Sequence, residues 1–594
     1  MIEKHTGRLE KYPETWKKVT SKSPVQNIQE LAIAVNKYYK IDNVVNDRRN
    51  SWTDPTPIHI TAAFGKLDLF QFIFEKMTEK SPTIDDGITP LHLAAARGHF
   101  SICEFIIENV EDKNPIAKDP NNLDVNICTP LDLAVINNHL EVCELIIKNL
   151  TNKNPSDSNG ITPLHIAAEC GHLEICKLII KKAENKKPSS NNGRTPLHMA
   201  ARREHLSVYK LLIGCVDDKN PSDNDGVTPL FLAAQNGCYD ICNLIIENVN
   251  DKNPACDTGE TPLHMAAMKG YINIYKLIMD CVDDKNPSDN DGETPLFLAA
   301  QNGCYDVCNL IIENVNDKNP ACDTGVTPLY IAIAEGHLEI CHLLIKNGAN
   351  KNLANINGRT PLHIAAMRGY IDVYKLIMDC VDDKNPSDND GETPLFIAAQ
   401  DGHFEVCNLI IENVNDKNPA CNSGETPLFA AAEYGRFEIY KLIMDHVDDK
   451  NPSHNDGVTP LQVAAQVGHL SVCKLIIDSL YDNNPPDDYG TTPLHTAAEY
   501  GHFEICKFFL ENVSNKTPVD SEGDTPLHLA AKRGHLNICK LLIKNVDVKN
   551  PSNHQGETPL SLANQYGHKK ICKLFTKRKK IGLNTIQKSK VAKQ

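Results

Sequence analysis

Cysteine supplies the most prominent candidate chemistry in this sequence. Cys103, Cys143, Cys176, Cys242, Cys308, Cys341, Cys407, Cys473, Cys506, Cys539 and Cys572 each stand thirteen residues after the proline of a Thr-Pro pair. Thiols at a fixed register are what a metal or redox centre would need. However, Tyr209, Tyr275, Tyr374 and Tyr440 fill the same register, and tyrosine does not replace a thiolate ligand. Cys238/Cys242 and Cys304/Cys308 are i, i+4 neighbours able to form half a metal site, yet neither has an evident second pair. The series therefore reads as small core residues, and no metal or cofactor is expected. With 21 cysteines, an odd number, and a charged rather than apolar N-terminal segment, free thiols are expected instead of a disulfide framework.

Histidine is the second candidate. His59, His92, His165, His198, His264, His363, His495 and His528 each follow Thr-Pro-Leu or Thr-Pro-Ile, the register a repeated general base would occupy. Phe231, Phe297, Tyr330, Phe396 and Phe429 stand at the same place in other units, and a ring without a basic nitrogen cannot take a proton. No grouping of nucleophile, base and orienting partner is discernible, and no phosphate-cradling glycine loop appears. The chain is expected not to be an enzyme.

The elements that position these side chains follow from one period. Sixteen Thr-Pro pairs fall in register, from Thr56 to Thr558, every interval being 33 residues except one of 40. In the unit that begins at Thr89, threonine suits an N-cap and Pro90 the first helical position, where its missing N–H is not needed. Leu91, Ala94 and Ala95 make a narrow face before Gly98 ends a two-turn helix. In the second helix Ile102, Phe105 and Ile106 share a face, widened by Cys103 and Ile107. The Asp-Lys-Asn-Pro and Asp-Gly that follow make a turn-rich hairpin. Helices this short are marginal alone, so each pair needs its neighbours for burial. Stacked helices lie about 8–10 Å apart, too far for sulfurs of successive units to share an ion. The long interval holds seven extra residues within Ala117–Asn126, polar and turn-forming, which read as an enlarged hairpin. Residues 222–254 and 288–320 differ at two positions only, Val227 against Glu293 and Ile241 against Val307, which points to duplication of a double unit.

The motif Asp-Gly-x-Thr-Pro-Leu-His-x-Ala-Ala-x-x-Gly-His at this spacing resembles the ankyrin repeat. The resemblance implies an all-α solenoid of helix-turn-helix units with a β-hairpin loop per repeat, a curved, right-stacked array. It implies that the motif histidine hydrogen-bonds near the threonine and braces the helix start. It also implies a partner-binding surface formed by the two residues after Ala-Ala and by the hairpin tips. Those positions hold Arg97, Arg202, Arg203, Lys269 and Arg368 toward the N-terminal side, with acidic tips at Asp225, Asp257, Glu260, Asp291 and Glu293. Further on they hold Tyr434, Tyr489, Tyr500, Lys532, Arg533 and Tyr566, and exposed tyrosine and arginine are the side chains most enriched at interface hot spots. One departure recurs: Val110, Val249, Val315 and Val414 stand where the family places glycine after the second helix, a pattern kept nearly intact only at Gly348-Ala349-Asn350. Either the preceding asparagine turns left-handed or the helix runs longer.

Charge divides the chain. Residues 569–594 hold ten lysines or arginines and no acid, leaving residues 1–568 with 51 basic against 77 acidic side chains, a net charge of −26. An acidic body repels phosphate backbones, so no nucleic acid is expected on the repeats. Lys577, Arg578, Lys579 and Lys580 could form a nuclear-import patch, or they keep a disordered end soluble. No run is long and apolar enough to span a membrane, and a cytoplasmic monomer is expected. The expected organisation is an N-terminal helical cap over 1–50, the repeats over 51–576 and a basic tail over 577–594. Two function classes follow: a non-enzymatic scaffold or adaptor for other proteins, or a regulatory inhibitor or substrate-recruiting subunit that enters the nucleus through its tail.

Overall fold

The structure, a computed structural model, describes residues 57–83, 87–119 and 122–576. The N-terminal cap expected over 1–50, the tail over 577–594 and its basic patch at Lys577–Lys580 lie outside the described residues. Two compact units divide at residue 290, and each is an array of helix pairs. In the first, first helices pack on first helices and second helices on second helices, from Pro57–Ala63 to Ile272–Met279. The second repeats this pattern from Pro295–Gln301 to Pro559–Gln565, followed by a helical stretch over 569–576.

Each unit is built from the same contacts. Leucine and the two alanines of the first helix are buried, as are four consecutive-turn positions of the second: Ile102, Cys103, Ile106 and Ile107 in the Thr89 repeat. Cys103 is therefore central to the core face, while Phe105, expected there, stands at its margin, edge-on to Phe70 at 6.1 Å and Phe74 at 5.2 Å. At the end of the first helix glycine takes a left-handed conformation, φ +77° at Gly171 and +70° at Gly369. Asn138 and Glu204 keep that geometry without glycine, at φ 61° and 62°. At Val249 the second helix stops at Ile246 and Glu247 and Asn248 form a turn, but at Val110, Val315 and Val414 it runs to ten residues (Phe100–Asn109, Tyr305–Asn314, Phe404–Asn413) and the valine is extended. In these three the asparagine stays helical, its Nδ2 donating to the carbonyl four residues back at 2.8–2.9 Å. None of the four asparagines turns left-handed, and the longer helix is the outcome in three of the four repeats.

The Asp-Lys-Asn-Pro tetrapeptide does more than turn the chain. Its aspartate accepts the asparagine N–H, as from Asn220 to Asp218 at 3.0 Å. Its lysine reaches back to the last carbonyl of the helix just finished and to one beyond it, Lys252 to those of Ile246 and Val249. Its asparagine Oδ1 accepts the second amide of the next helix, from Leu230 at 2.8 Å, Leu395 at 2.9 Å and Leu461 at 2.9 Å. One motif thereby satisfies the free backbone groups of two helix ends. Hairpin tips are joined along each unit by backbone bonds, such as Asn224 N–H to Asn192 O at 2.9 Å and Asn422 N–H to Asp390 O at 2.9 Å. The insertion forms a two-stranded antiparallel hairpin, Ala117–Asp119 with Asn122–Cys128.

From the Thr89 repeat onward, three repeats lack the capping asparagine: Ser81 and Thr517 stand at its place in two of them, and Lys187 in the third. An ammonium accepts no hydrogen bond, and its Nζ turns outward to Asp217 at 2.6 Å. Lys187→Asn is expected to add about 1 kcal/mol to that repeat, since the exposed ion pair it removes contributes little. Slower amide exchange at Leu197 would report it; unchanged exchange there would show that the asparagine cap is not worth making.

Candidate interaction surface

The cysteines of the helical series fall in the core. All except Cys572, which is half-buried, are fully buried. Burial pushes the thiols of Cys103, Cys143, Cys176, Cys341, Cys407, Cys473, Cys506 and Cys539 up to about 12, so they are neutral at physiological pH. Among the described residues no three His, Cys, Asp or Glu side chains are grouped to hold a metal ion. The tyrosines at this register are equally buried, and each hydroxyl donates to the lysine carbonyl of its own hairpin, Tyr209 to Lys219 at 2.9 Å and Tyr374 to Lys384 at 2.7 Å.

The motif histidines are braces in two directions. Nδ1 accepts the N–H of the repeat's own threonine, at 3.0 Å between His198 and Thr195 and at 3.0 Å between His363 and Thr360. Nε2 then carries the proton and donates to the carbonyl just before the next repeat's threonine, His198 to Val227 at 3.0 Å and His495 to Asp524 at 3.0 Å, whereas the buried Nε2 of His92, in the repeat before the insertion, makes no hydrogen bond. Burial lowers the imidazole of His59, His92, His198 and His363 to about 4, holding the neutral tautomer that this pattern needs.

Sequence reasoning left a second histidine row unread. Where histidine follows the end of the first helix it reaches the preceding repeat, its Nε2 on the carbonyl of Met367 from His403 at 2.9 Å and of Glu433 from His469 at 3.0 Å; Cys238, Tyr271, Cys304 and Tyr370 stand at that place in other repeats. The histidine ring lies on the preceding repeat's glycine: a Cβ on Gly369 would stand 2.4 Å from His403 Nδ1. Arg436 takes the same place, Nε to Gln400 O at 3.0 Å. The recurring Gly-His dipeptide was the available signal, but its partner is a residue 36 positions earlier.

These braces leave the ends of the first helices facing solvent. Arg97, Arg202, Arg203 and Lys269 are exposed there in the first unit, Arg203 Nη2 lying 3.3 Å from Glu169 of the preceding repeat. Arg368 is exposed in the second. At the eighth residue after the threonine, five successive repeats present Tyr434, Val467, Tyr500, Arg533 and Tyr566, a continuous row. The four apolar members are 46–52% exposed. Arg533 bonds Glu499 with Nη2 at 2.8 Å and Nε at 3.2 Å and lies within electrostatic reach of Tyr500 and Tyr566. Lys532 is half-buried beside it, and Tyr489 is separate from the row, on a hairpin tip whose carbonyl bonds Ser521 N–H at 2.8 Å. Val467 belongs to the row and was missed because valine carries no binding signature; counting from Thr459 would have found it. Tyr434 stands among acids: partial desolvation raises its phenol, and Glu433, Asp401, Glu425 and Glu392 raise it further.

No helix among the described residues is long and apolar enough to cross a membrane. The family model described as ankyrin repeats (three copies) matches eight overlapping stretches, from 28–119 to 512–586. Its first match begins ahead of residue 51, where the repeat boundary was drawn from Thr-Pro spacing. No curated relative matches the chain.

Proposed function

Since the chain belongs to the ankyrin-repeat family, whose arrays generally mediate protein–protein interaction, we propose that it is a non-enzymatic scaffold or adaptor whose principal contact lies on its last five repeats. The observation that supports this reading is the row Tyr434, Val467, Tyr500, Arg533 and Tyr566, one solvent-facing side chain per layer at the ends of successive first helices. Aromatic side chains held rigidly and half in water bind with little loss of side-chain freedom. Arg97, Arg202, Arg203 and Lys269 are secondary contact positions on the first unit, and Arg368 is one on the second. Replacing Tyr434, Tyr500 and Tyr566 together by alanine is expected to weaken capture of proximity-labelled partners about tenfold or more, with the thermal melt unchanged. Full capture by the triple variant would remove this surface from consideration. Nuclear entry through Lys577–Lys580 is a further proposal resting on sequence alone; tagged chains with and without residues 577–594 would localise identically if it is wrong.

A further inference from the structure

In the four repeats that begin at Thr393, Thr426, Thr459 and Thr492, the two hairpin-tip residues, the residue before the threonine and the last two after Ala-Ala define the groove. These positions include Asp390, Glu392, Asp401, Glu425, Glu433, Asp456, Asp488 and Glu499, together with Tyr434, Tyr489 and Tyr500, and no lysine or arginine. The stretch is bounded by cations on both sides, Arg359 and Arg368 before it and Lys532 and Arg533 after it. Two of the acids are neutralised by those flanks: Glu392 by Arg359 at 2.8 Å and Glu499 by Arg533 at 2.8 Å. Arg436, inside the stretch, is held on the Gln400 carbonyl at the turn between its helices.

Around Tyr434 the charge is concentrated rather than dispersed. Asp401, Glu425 and Glu433 are half-buried beside a ring that is 47% exposed. The Glu433 carboxyl is raised by burial and then by Glu425, so the fold presses like charges together without supplying a counter-charge. Carboxylates beside an exposed aromatic face make the environment in which a guanidinium or ammonium gains both ion pairing and cation–π contact.

Resting on the reading of this surface as a protein-binding one, we propose that the groove over these four repeats receives a basic, extended segment of a partner protein, with a Lys or Arg seated on Tyr434 between Glu425 and Glu433. Four layers about 10 Å apart span roughly 30 Å, the reach of about ten extended residues. The extended chain rises about 3.3 Å per residue, so every third side chain meets a new layer.

The test titrates the full chain into a fluorescein-labelled peptide with arginine at every third residue, and into the same peptide with glutamate in place of arginine, reading anisotropy. Saturable binding of the arginine peptide alone, weakened about tenfold by Glu425→Gln/Glu433→Gln and by added salt but not by Glu108→Gln on an exposed second-helix face of the first unit, is the expected result. Absence of binding, or equal affinity in the Gln variant with its circular-dichroism melt intact, overturns the assignment. So does binding that appears only after deletion of residues 577–594, since the occupant would then be the chain's own basic tail. If the tyrosine triple variant loses partner capture while the arginine peptide never binds, the charge assignment fails and the protein-binding surface stands.

Discussion

Lowering the pH from 7 to 5 is expected to loosen this array repeat by repeat, at about 2 kcal/mol for each motif histidine held near 4. The sign follows from which state binds the proton. His59, His92, His198 and His363 are lowered from 6.5 to about 4 in the fold. Between these values the unfolded chain takes up protons that the folded chain refuses. The stabilisation is therefore complete above about 6.5 and disappears as the pH falls toward 4. Structurally, a proton on Nδ1 would oppose the threonine N–H that it now accepts at 3.0 Å in the Thr195 and Thr360 repeats. Because stability in a linear array is a sum of repeat and interface terms, the loss is local. Amide exchange at pH 5 should accelerate in the repeats of His198 and His363. The repeats with Phe396, Phe429 and Gln462 at that place should hold. His363→Phe should remove the acid response of its own repeat only. A uniform response along the chain, indifferent to which ring occupies the position, would falsify this account.

The period, the order helix-helix-hairpin and the burial of the cysteines were legible in sequence because each is written within one unit. Thr-Pro marks a helix start, Ala-Ala a close face, and a recurrent slot that accepts both cysteine and tyrosine must be a packed one. What was not legible runs between units. Nothing local in Asp-Lys-Asn-Pro says that its lysine serves the helix behind and its asparagine the helix ahead, Leu230 N–H being ten residues downstream of Asn220. Nothing local in Gly-His says that the ring of His403 covers Gly369. The candidate surface was legible as far as residue type carried it: the tyrosines at 434, 500 and 566 fell in one row, whereas Val467 was overlooked and Tyr489 proved to lie on a hairpin tip apart from that row. The conflict of Glu425 with Glu433 needed the fold, because seven residues, the helix start and most of the first helix, separate them in sequence.

Tyr374→Ala is expected to cost about 3–5 kcal/mol, the largest effect of any single substitution considered for the second unit. The ring is fully buried, and its hydroxyl holds the carbonyl of Lys384 at 2.7 Å, so the substitution opens a cavity and releases a hairpin at once. The repeats with tyrosine here have second helices of eight residues, Leu206–Ile213, Ile272–Met279, Ile371–Met378 and Phe437–Met444, as do the cysteine repeats at Tyr239–Ile246 and Leu470–Ile477. In the tyrosine repeats alone, the side chain at this register ties the second helix to its hairpin through the hydroxyl. Tyr374→Phe keeps the packing and loses the hydrogen bond, which should cost about 1 kcal/mol. It should show mainly as faster exchange in residues 379–388. Tyr374→Cys introduces the residue found at this register in most other repeats, yet it leaves the space of the ring unfilled and should fall between the two. Guanidinium unfolding midpoints order the three variants. If alanine costs no more than phenylalanine, the ring is not the wedge between layers that its burial implies, and the hydroxyl alone places the hairpin.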